Sequence, residues 1–101
     1  MIYSLTVPDA LEDVAEVRVL EWHGQPGDAF SPGDLVVELE THKALVEVRA
    51  GQAGVLRQIL SPEGDWAATG RPLALFGDDA TETLPEDPEN QACLLVDFEV
   101  S

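Results

Sequence analysis

The stretch LVVELETHKALVEVR, residues 35–49, contains the only lysine of the chain, Lys43, and has the most regular pattern of apolar and charged residues. Apolar and charged side chains alternate before this lysine, in residues 35–40, and again after it, in residues 44–49. A period of two is typical of strands, whose successive side chains point to opposite faces of a sheet. Two such strands joined by so few polar residues predict a β-hairpin with Lys43 at its tip.

The composition limits the kinds of function that this chain can have. Its 101 residues include 20 acidic and 5 basic ones, a net charge of -15, and they suffice for one small domain with a limited core. Binding to nucleic acid or to anionic membranes relies on Lys and Arg, so we expect neither partner. A single cysteine forms no internal disulfide, and there is neither a membrane-length apolar run nor a secretory signal, which predicts a cytoplasmic protein.

Two segments with glycine and aspartate at matching positions lie 37 residues apart. Residues 27–34 lead into an apolar run at 35–39, and residues 64–71 lead into another at 72–76. Glycine adopts positive φ and aspartate bonds to nearby backbone, so both segments are predicted to be turns, formed in part by Asp28 and Asp34. The repeat predicts two similar β units packed on each other in an all-β sandwich or barrel.

The remaining chain is less regular. Residues 2–7 predict a first strand, residues 9–14 an acidic surface loop, and residues 15–22 a strand with Val19 and Glu21 on the same face. Residues 78–91 contain acidic side chains and two prolines, the composition of a linker. Residues 92–101 alternate again and predict an extra strand, which would pair within the subunit or, in a homodimer, with a second copy.

Histidine, cysteine and aspartate side chains give no sign of a second site. We expect His42 to be an exposed turn residue and His23 to lie in a loop. Because Cys93 is far away in the sequence and no further ligands cluster with it, we expect no metal site. No residues are predicted to be catalytic.

The ordered set of motifs resembles the lipoyl domain of 2-oxo acid dehydrogenase complexes, a member of the biotinyl/lipoyl attachment family. The resemblance covers residues 2–77 and rests on Val7-Pro8-Asp9, Pro26-Gly27-Asp28, Pro32-Gly33-Asp34, Glu40-Thr41-His42-Lys43-Ala44, Glu63-Gly64-Asp65 and Gly70-Arg71-Pro72-Leu73. It implies a carrier domain at residues 1–77. The implied fold is a flattened barrel-sandwich of two four-stranded antiparallel sheets with pseudo two-fold symmetry.

The resemblance also implies a modified residue. The acceptor lysine of the family maps onto Lys43, presented by Thr41, His42 and Ala44, and the implied cofactor is lipoate in amide linkage to the ε-amine. Biotin is disfavoured, since biotin carriers place methionines on both sides of their lysine. Most lipoyl domains have an aspartate where this chain has His42, a difference that bears on which decarboxylase recognises the tip.

The function implied is that of a carrier without catalytic activity. Its lipoyl arm would shuttle acyl groups and reducing equivalents between active sites by raising the local concentration of the arm. The implied partners are a lipoate ligase or lipoyl/octanoyl transferase, a 2-oxo acid decarboxylase, an acyltransferase and dihydrolipoamide dehydrogenase. Two alternatives stay open: a biotin carrier domain of a carboxylase, and an unmodified barrel-sandwich module that binds protein through its C-terminal strand.

Overall fold

The computed structural model describes residues 1–6, 15–42, 44–86 and 91–100. The expectations for Val7, for the loop at 9–14 and for Lys43 itself lie outside these residues. Within them the chain forms ten strands: β1 (Ile2–Thr6), β2 (Glu16–Trp22), β3 (Ala29–Phe30), β4 (Leu35–Glu40), β5 (Leu45–Ala50), β6 (Gly54–Ile59), β7 (Trp66–Ala68), β8 (Pro72–Gly77), β9 (Ala92–Cys93) and β10 (Val96–Val100). The all-β class is confirmed.

The strands make two sheets, each with one strand more than the four expected. The sheet orders are β3-β6-β8-β1-β9 and β10-β5-β4-β2-β7. The C-terminal segment supplies both additional strands, because β9 pairs with β1 and β10 pairs with β5 of the same chain. The β1–β9 pair is parallel, whereas an antiparallel arrangement was expected. Both differences arise because the expected strand count describes residues 2–77 only.

The C-terminal segment passes from the edge of one sheet to the edge of the other. Leu94 donates its backbone N–H to the carbonyl of Ser4 at 2.9 Å, and Gly51 donates to the carbonyl of Leu95 at 2.8 Å. The side chain of Leu94 is buried in the common core. The segment therefore ties the two sheets together along one side.

The two halves of the fold are related by a pseudo two-fold exchange. Gly27 donates its N–H to the carbonyl of Leu56 at 2.7 Å, and Gly64 donates to the carbonyl of Val19 at 2.8 Å. Each residue of the second bond stands 37 positions from one of the first, with the two halves interchanged. The pairing of β3 with β6 and of β7 with β2 repeats this exchange, in agreement with the two similar units that the repeat predicts and with the pseudo two-fold symmetry that the resemblance implies.

Glycine and aspartate form the repeated turns. Four glycines adopt positive φ: Gly27 (103°), Gly33 (95°), Gly64 (92°) and Gly70 (85°). This region is costly for residues with a Cβ. The carboxylates of Asp28 and Asp34 accept the N–H groups of Gln25 at 2.9 Å and Ser31 at 2.8 Å, which confirms their expected role as turn formers.

The core lies between the two sheets and is filled by inward-facing side chains of both. Val19, Leu39, Leu56 and Phe76 are fully buried, and each contributes about 1.5–3 kcal/mol by leaving water. The rings of Phe30 and Phe76 pack edge to face, with centroids 5.7 Å apart. This core holds β4 rigidly at the centre of its sheet.

One strand departs from the predicted alternation. The register of β2 against β4 shifts between Val19 and Glu21, so that an extra residue, Leu20, forms a β-bulge. Glu21 therefore faces solvent opposite Glu38, and Trp22 packs against the core. The prediction that Glu21 shares a face with Val19 is wrong, because alternation carries no signal for an inserted residue.

Candidate functional site

The predicted hairpin is formed by β4 and β5. These strands pair antiparallel, with Leu39 opposite Val46 and Glu40 opposite Leu45. Leu39 and Val46 are buried, which fixes the register of the hairpin through the core. Only residues 41–44 connect the two strands, so their ends hold the connection closely.

Thr41 and Ala44 close this connection with three hydrogen bonds. The N–H of Thr41 donates to the carbonyl of Ala44 at 2.8 Å. The N–H of Ala44 donates to Oγ1 of Thr41 at 2.9 Å, and the hydroxyl in turn donates to the carbonyl of Ala44 at 3.2 Å. Because Thr41 is only 7% exposed, these bonds are shielded from water and fix the base of the turn.

The surface around the turn is open. His42 is exposed, and Leu45, at the start of β5, is 45% exposed. Val100, which pairs with Val46 next to the turn, is 59% exposed. The turn thus has a fixed base, formed by Thr41 and Ala44, and an accessible rim, a combination suited to presenting one side chain to other proteins.

His23 lies outside the strands, just after the end of β2, as expected, but its side chain contacts two carboxylates. Its Nε2 lies 2.7 Å from Oε1 of Glu38 and 3.8 Å from Oε2 of Glu21. Sequence reasoning missed this group because the bulge in β2 turns Glu21 towards Glu38. Cys93 is exposed and free, and it does not belong to the group.

Among the residues that the structure describes, no helix is long and apolar enough to cross a membrane.

Comparison with known proteins points to one family. The sequence profile of the family described as "Biotin-requiring enzyme" matches residues 4–76. The chain is 38% identical over 88 residues to the dihydrolipoyllysine-residue succinyltransferase component of the 2-oxoglutarate dehydrogenase complex of Staphylococcus saprophyticus, an alignment that covers 87% of this chain and 21% of that protein. The component of the same name from Escherichia coli K12 is 43% identical over 61 residues, covering 60% of this chain and 15% of that protein.

A solved structure shows the same relationship. The solution structure of the lipoyl domain of the 2-oxoglutarate dehydrogenase complex from Azotobacter vinelandii matches with a TM-score of 0.66 and 32% identity, over 76% of this chain and 98% of that domain. The chain spans about a fifth of the length of curated relatives such as the Staphylococcus protein. The similarity therefore concerns one domain of those larger proteins.

Proposed function

This chain belongs to the biotinyl/lipoyl attachment family as a lipoyl domain, and we propose that Lys43 is the residue that carries its lipoate in amide linkage. A lipoyl domain is a carrier, so the chemistry of the reaction belongs to the enzymes that it visits. Lipoate bound to this chain would supply a disulfide that accepts an acyl group and two electrons. The contribution of the protein is to present the attachment point.

The observation that carries the proposal is the turn closed by Thr41 and Ala44. The amide needs a primary amine, and Lys43 is the only lysine of the chain. In the sequence it falls between Thr41 and Ala44, which are hydrogen-bonded to each other at 2.8 and 2.9 Å. A lipoyl group needs an anchored base and free space above it, and the buried Thr41 with the exposed His42 and Leu45 fits both requirements.

Lys43 would not acylate itself. A lysine amine has an ordinary pKa of about 10.4 and is mostly protonated at neutral pH, so it is a weak nucleophile until an enzyme takes up its proton. A lipoate ligase or a lipoyl/octanoyl transferase would present an activated acyl group. The amine then forms the C–N bond, loses a proton, and displaces the activating group.

We propose that the domain serves a 2-oxoglutarate dehydrogenase complex. The relatives and the solved structure that it resembles carry that complex in their names. The partners would be the 2-oxo acid decarboxylase, the acyltransferase and dihydrolipoamide dehydrogenase of the complex. The carrier domain would comprise residues 1–77, with residues 78–91 as an acidic linker and residues 92–101 as an added segment. The cytoplasmic location stays a prediction.

Intact mass measurement tests the attachment. The protein is produced in cells that lipoylate their own carriers, and fragmentation locates any adduct. We expect one lipoyl group on Lys43 and none on Lys43→Arg, which keeps the positive charge but removes the primary amine. Protein that stays unmodified in such cells would overturn the proposal and favour an interaction module, and a biotinyl adduct would assign the domain to a carboxylase.

Reductive acylation tests the choice of complex. Lipoylated protein is incubated with purified 2-oxoglutarate decarboxylase or with pyruvate decarboxylase of the corresponding complex, each with its own 2-oxo acid. We expect acylation to be faster with the 2-oxoglutarate enzyme. Equal or reversed rates would reject the assignment to that complex while leaving the attachment at Lys43 intact, and His42→Asp reports whether the residue before the lysine affects the preference.

A further inference from the structure

We propose that Glu21, His23 and Glu38 form a zinc site on the exposed face of the β2–β4 pair, separate from the turn that contains Lys43. One ligand atom from each of the three side chains lies within 4.8 Å of the other two. Imidazole and carboxylate together favour Zn²⁺ over Mg²⁺ and Ca²⁺, which prefer oxygen ligands alone. This site goes beyond the carrier function and does not depend on it.

The backbone holds the three side chains in place. The bulge at Leu20 brings Glu21 opposite Glu38 in the register of the two strands. His23 follows β2 directly, and its N–H donates to the carbonyl of Val36 at 2.9 Å. The backbones of Glu21 and His23 are therefore both held against β4, the central strand of the sheet, and a metal ion would bind without movement of the backbone.

The charges of the group favour a cation. Glu21 and Glu38 are directly opposite each other, an arrangement in which like charges destabilise a strand pair. The chain as a whole carries a net charge of -15, which raises the cost of this pair. His23 is hydrogen-bonded to Glu38, and a divalent ion held by the three side chains would be attracted to both carboxylates.

The distances suit a small ion after minor side-chain adjustment. Zinc bonds to nitrogen and carboxylate oxygen of about 2.0–2.2 Å place tetrahedral ligand atoms roughly 3.3–3.6 Å apart. The contact of His23 with Glu38 at 2.7 Å would open by less than about 1 Å, and the 3.8 Å separation from Glu21 would close slightly. The side chains of His23, Glu38 and Glu21 are 30%, 31% and 61% exposed, respectively. Their terminal atoms therefore have room to move, and water can occupy the fourth position.

The second half of the fold shows what the same backbone looks like without ligands. A bulge at Arg57 in β6 matches the one in β2, and Leu60 donates its N–H to the carbonyl of Leu73 at 2.8 Å, as His23 does to Val36. The positions that correspond to Glu21, His23 and Glu38 hold Gln58, Leu60 and Leu75. The metal-ligating side chains thus occur in one half only, on a backbone that both halves share.

Calorimetric titration of the untagged, metal-free protein with Zn²⁺ tests the site. We expect one saturable equivalent, together with a rise in the midpoint of thermal unfolding, because an ion that binds only the folded state stabilises it. His23→Ala and Glu38→Gln should each weaken binding at least tenfold. Glu21→Gln should weaken it less, because the Glu21 carboxylate lies farther from His23, at 3.8 Å rather than 2.7 Å, and is more exposed. The unfolding midpoint of each variant without zinc shows whether its fold is kept.

Two controls distinguish this site from other zinc ligands on the surface. His42→Ala removes the other histidine, and Cys93→Ser removes the exposed thiol; both should bind zinc like the unaltered protein. Unsaturable binding, unchanged affinity in His23→Ala, or loss of binding in either control would overturn the proposal. Lys43→Arg should bind zinc normally, so failure of this proposal and failure of the attachment at Lys43 would be told apart.

Discussion

The first half of the fold, residues 15–40, and the second half, residues 52–77, have matching backbones and different surface chemistry. The N–H of Val19 donates to the carbonyl of Asp65 at 2.8 Å, and that of Leu56 donates to the carbonyl of Asp28 at 2.9 Å. Both halves also contain a bulge in the strand that precedes the turn. The repeated glycines and apolar residues therefore determine the backbone, and the polar residues that differ determine where a ligand or a modification can be placed.

The hairpin turn and its symmetric counterpart show the clearest difference. In the first half, β4 is joined to its partner strand β5 by residues 41–44. In the second half, β8 pairs in the same way with β1, with Gly77 opposite Ile2, but these two strands are not consecutive in the chain. There the ammonium group of Met1 contacts the carboxylates of Asp78 and Glu82. The turn that contains Lys43 thus exists because residues 41–44 join β4 to β5, whereas the corresponding strands β8 and β1 have no such connection.

Truncation of core side chains in either half should cause the largest loss of stability. Leu39 and Phe76 occupy corresponding positions and are both fully buried. We expect Phe76→Ala to lower the free energy of unfolding by about 3–5 kcal/mol and Leu39→Ala by about 2–5 kcal/mol. Urea denaturation of both variants measures this. A small loss for one of them would mean that the two halves do not share one core.

Loss of the Thr41 hydroxyl should have the next largest effect. Thr41→Val keeps the shape of the side chain but leaves the N–H of Ala44 without the acceptor that it has at 2.9 Å, which should cost about 1–3 kcal/mol. Amide hydrogen exchange at Ala44 should accelerate with it. Thr41→Ser retains the hydroxyl and is the control, so equal exchange rates in the two variants would show that this bond does not close the turn.

The part of the fold that sequence could predict is the part encoded by period and turn residues. Alternation around Lys43 predicts β4 and β5, and the recurrence of Gly27 as Gly64 predicts two similar halves. These signals are local, since a strand and a turn each depend on a few neighbouring residues. The extra strand in each sheet depends instead on where residues 92–100 find an open edge, which alternation does not specify.

The composition of the candidate sites was predictable to different degrees. The motif around Lys43 indicates the attachment turn, but it does not reveal that the Thr41 hydroxyl replaces a backbone acceptor. The group of Glu21, His23 and Glu38 could not be found from spacing, because Leu20 is inserted between the alternating residues.

Replacing the glycines at corresponding turns, Gly27 and Gly64, should cause a moderate loss of stability that tests the symmetry. Gly27 and Gly64 have φ values of 103° and 92°, and a Cβ at either position would meet no atom within 4 Å. The cost of Gly27→Ala and of Gly64→Ala is therefore that of the backbone alone, about 1–2 kcal/mol. Thermal unfolding should show the two losses to be equal within error, and a clear difference would mean that one turn relaxes more easily than its counterpart.

The contacts of Met1 with Asp78 and Glu82, beside the β1–β8 pair, should have the smallest effect, a change in pKa that titration detects. The hydrogen bond that the Met1 ammonium donates to Glu82, followed by the one to Asp78, raises the pKa of this amino group, and the same ammonium is the main cause of the lowered pKa of Glu82. The contact thus stabilises this end between the two pKa values: it is lost as pH rises through the raised pKa of the amine, and as pH falls through the lowered pKa of the carboxyl.

Glu82→Gln should lower the pKa of the Met1 amine more than Asp78→Asn does, because Glu82 is the larger cause. NMR titration of Met1 measures both shifts, and the reverse order would assign the contact to Asp78. Neither variant should change exchange at Ala44, since the turn at the other strand pair is closed by Thr41 and not by charge. A change in exchange at Ala44 would mean that the Met1 contacts beside the β1–β8 pair and the turn between β4 and β5 are coupled through the core.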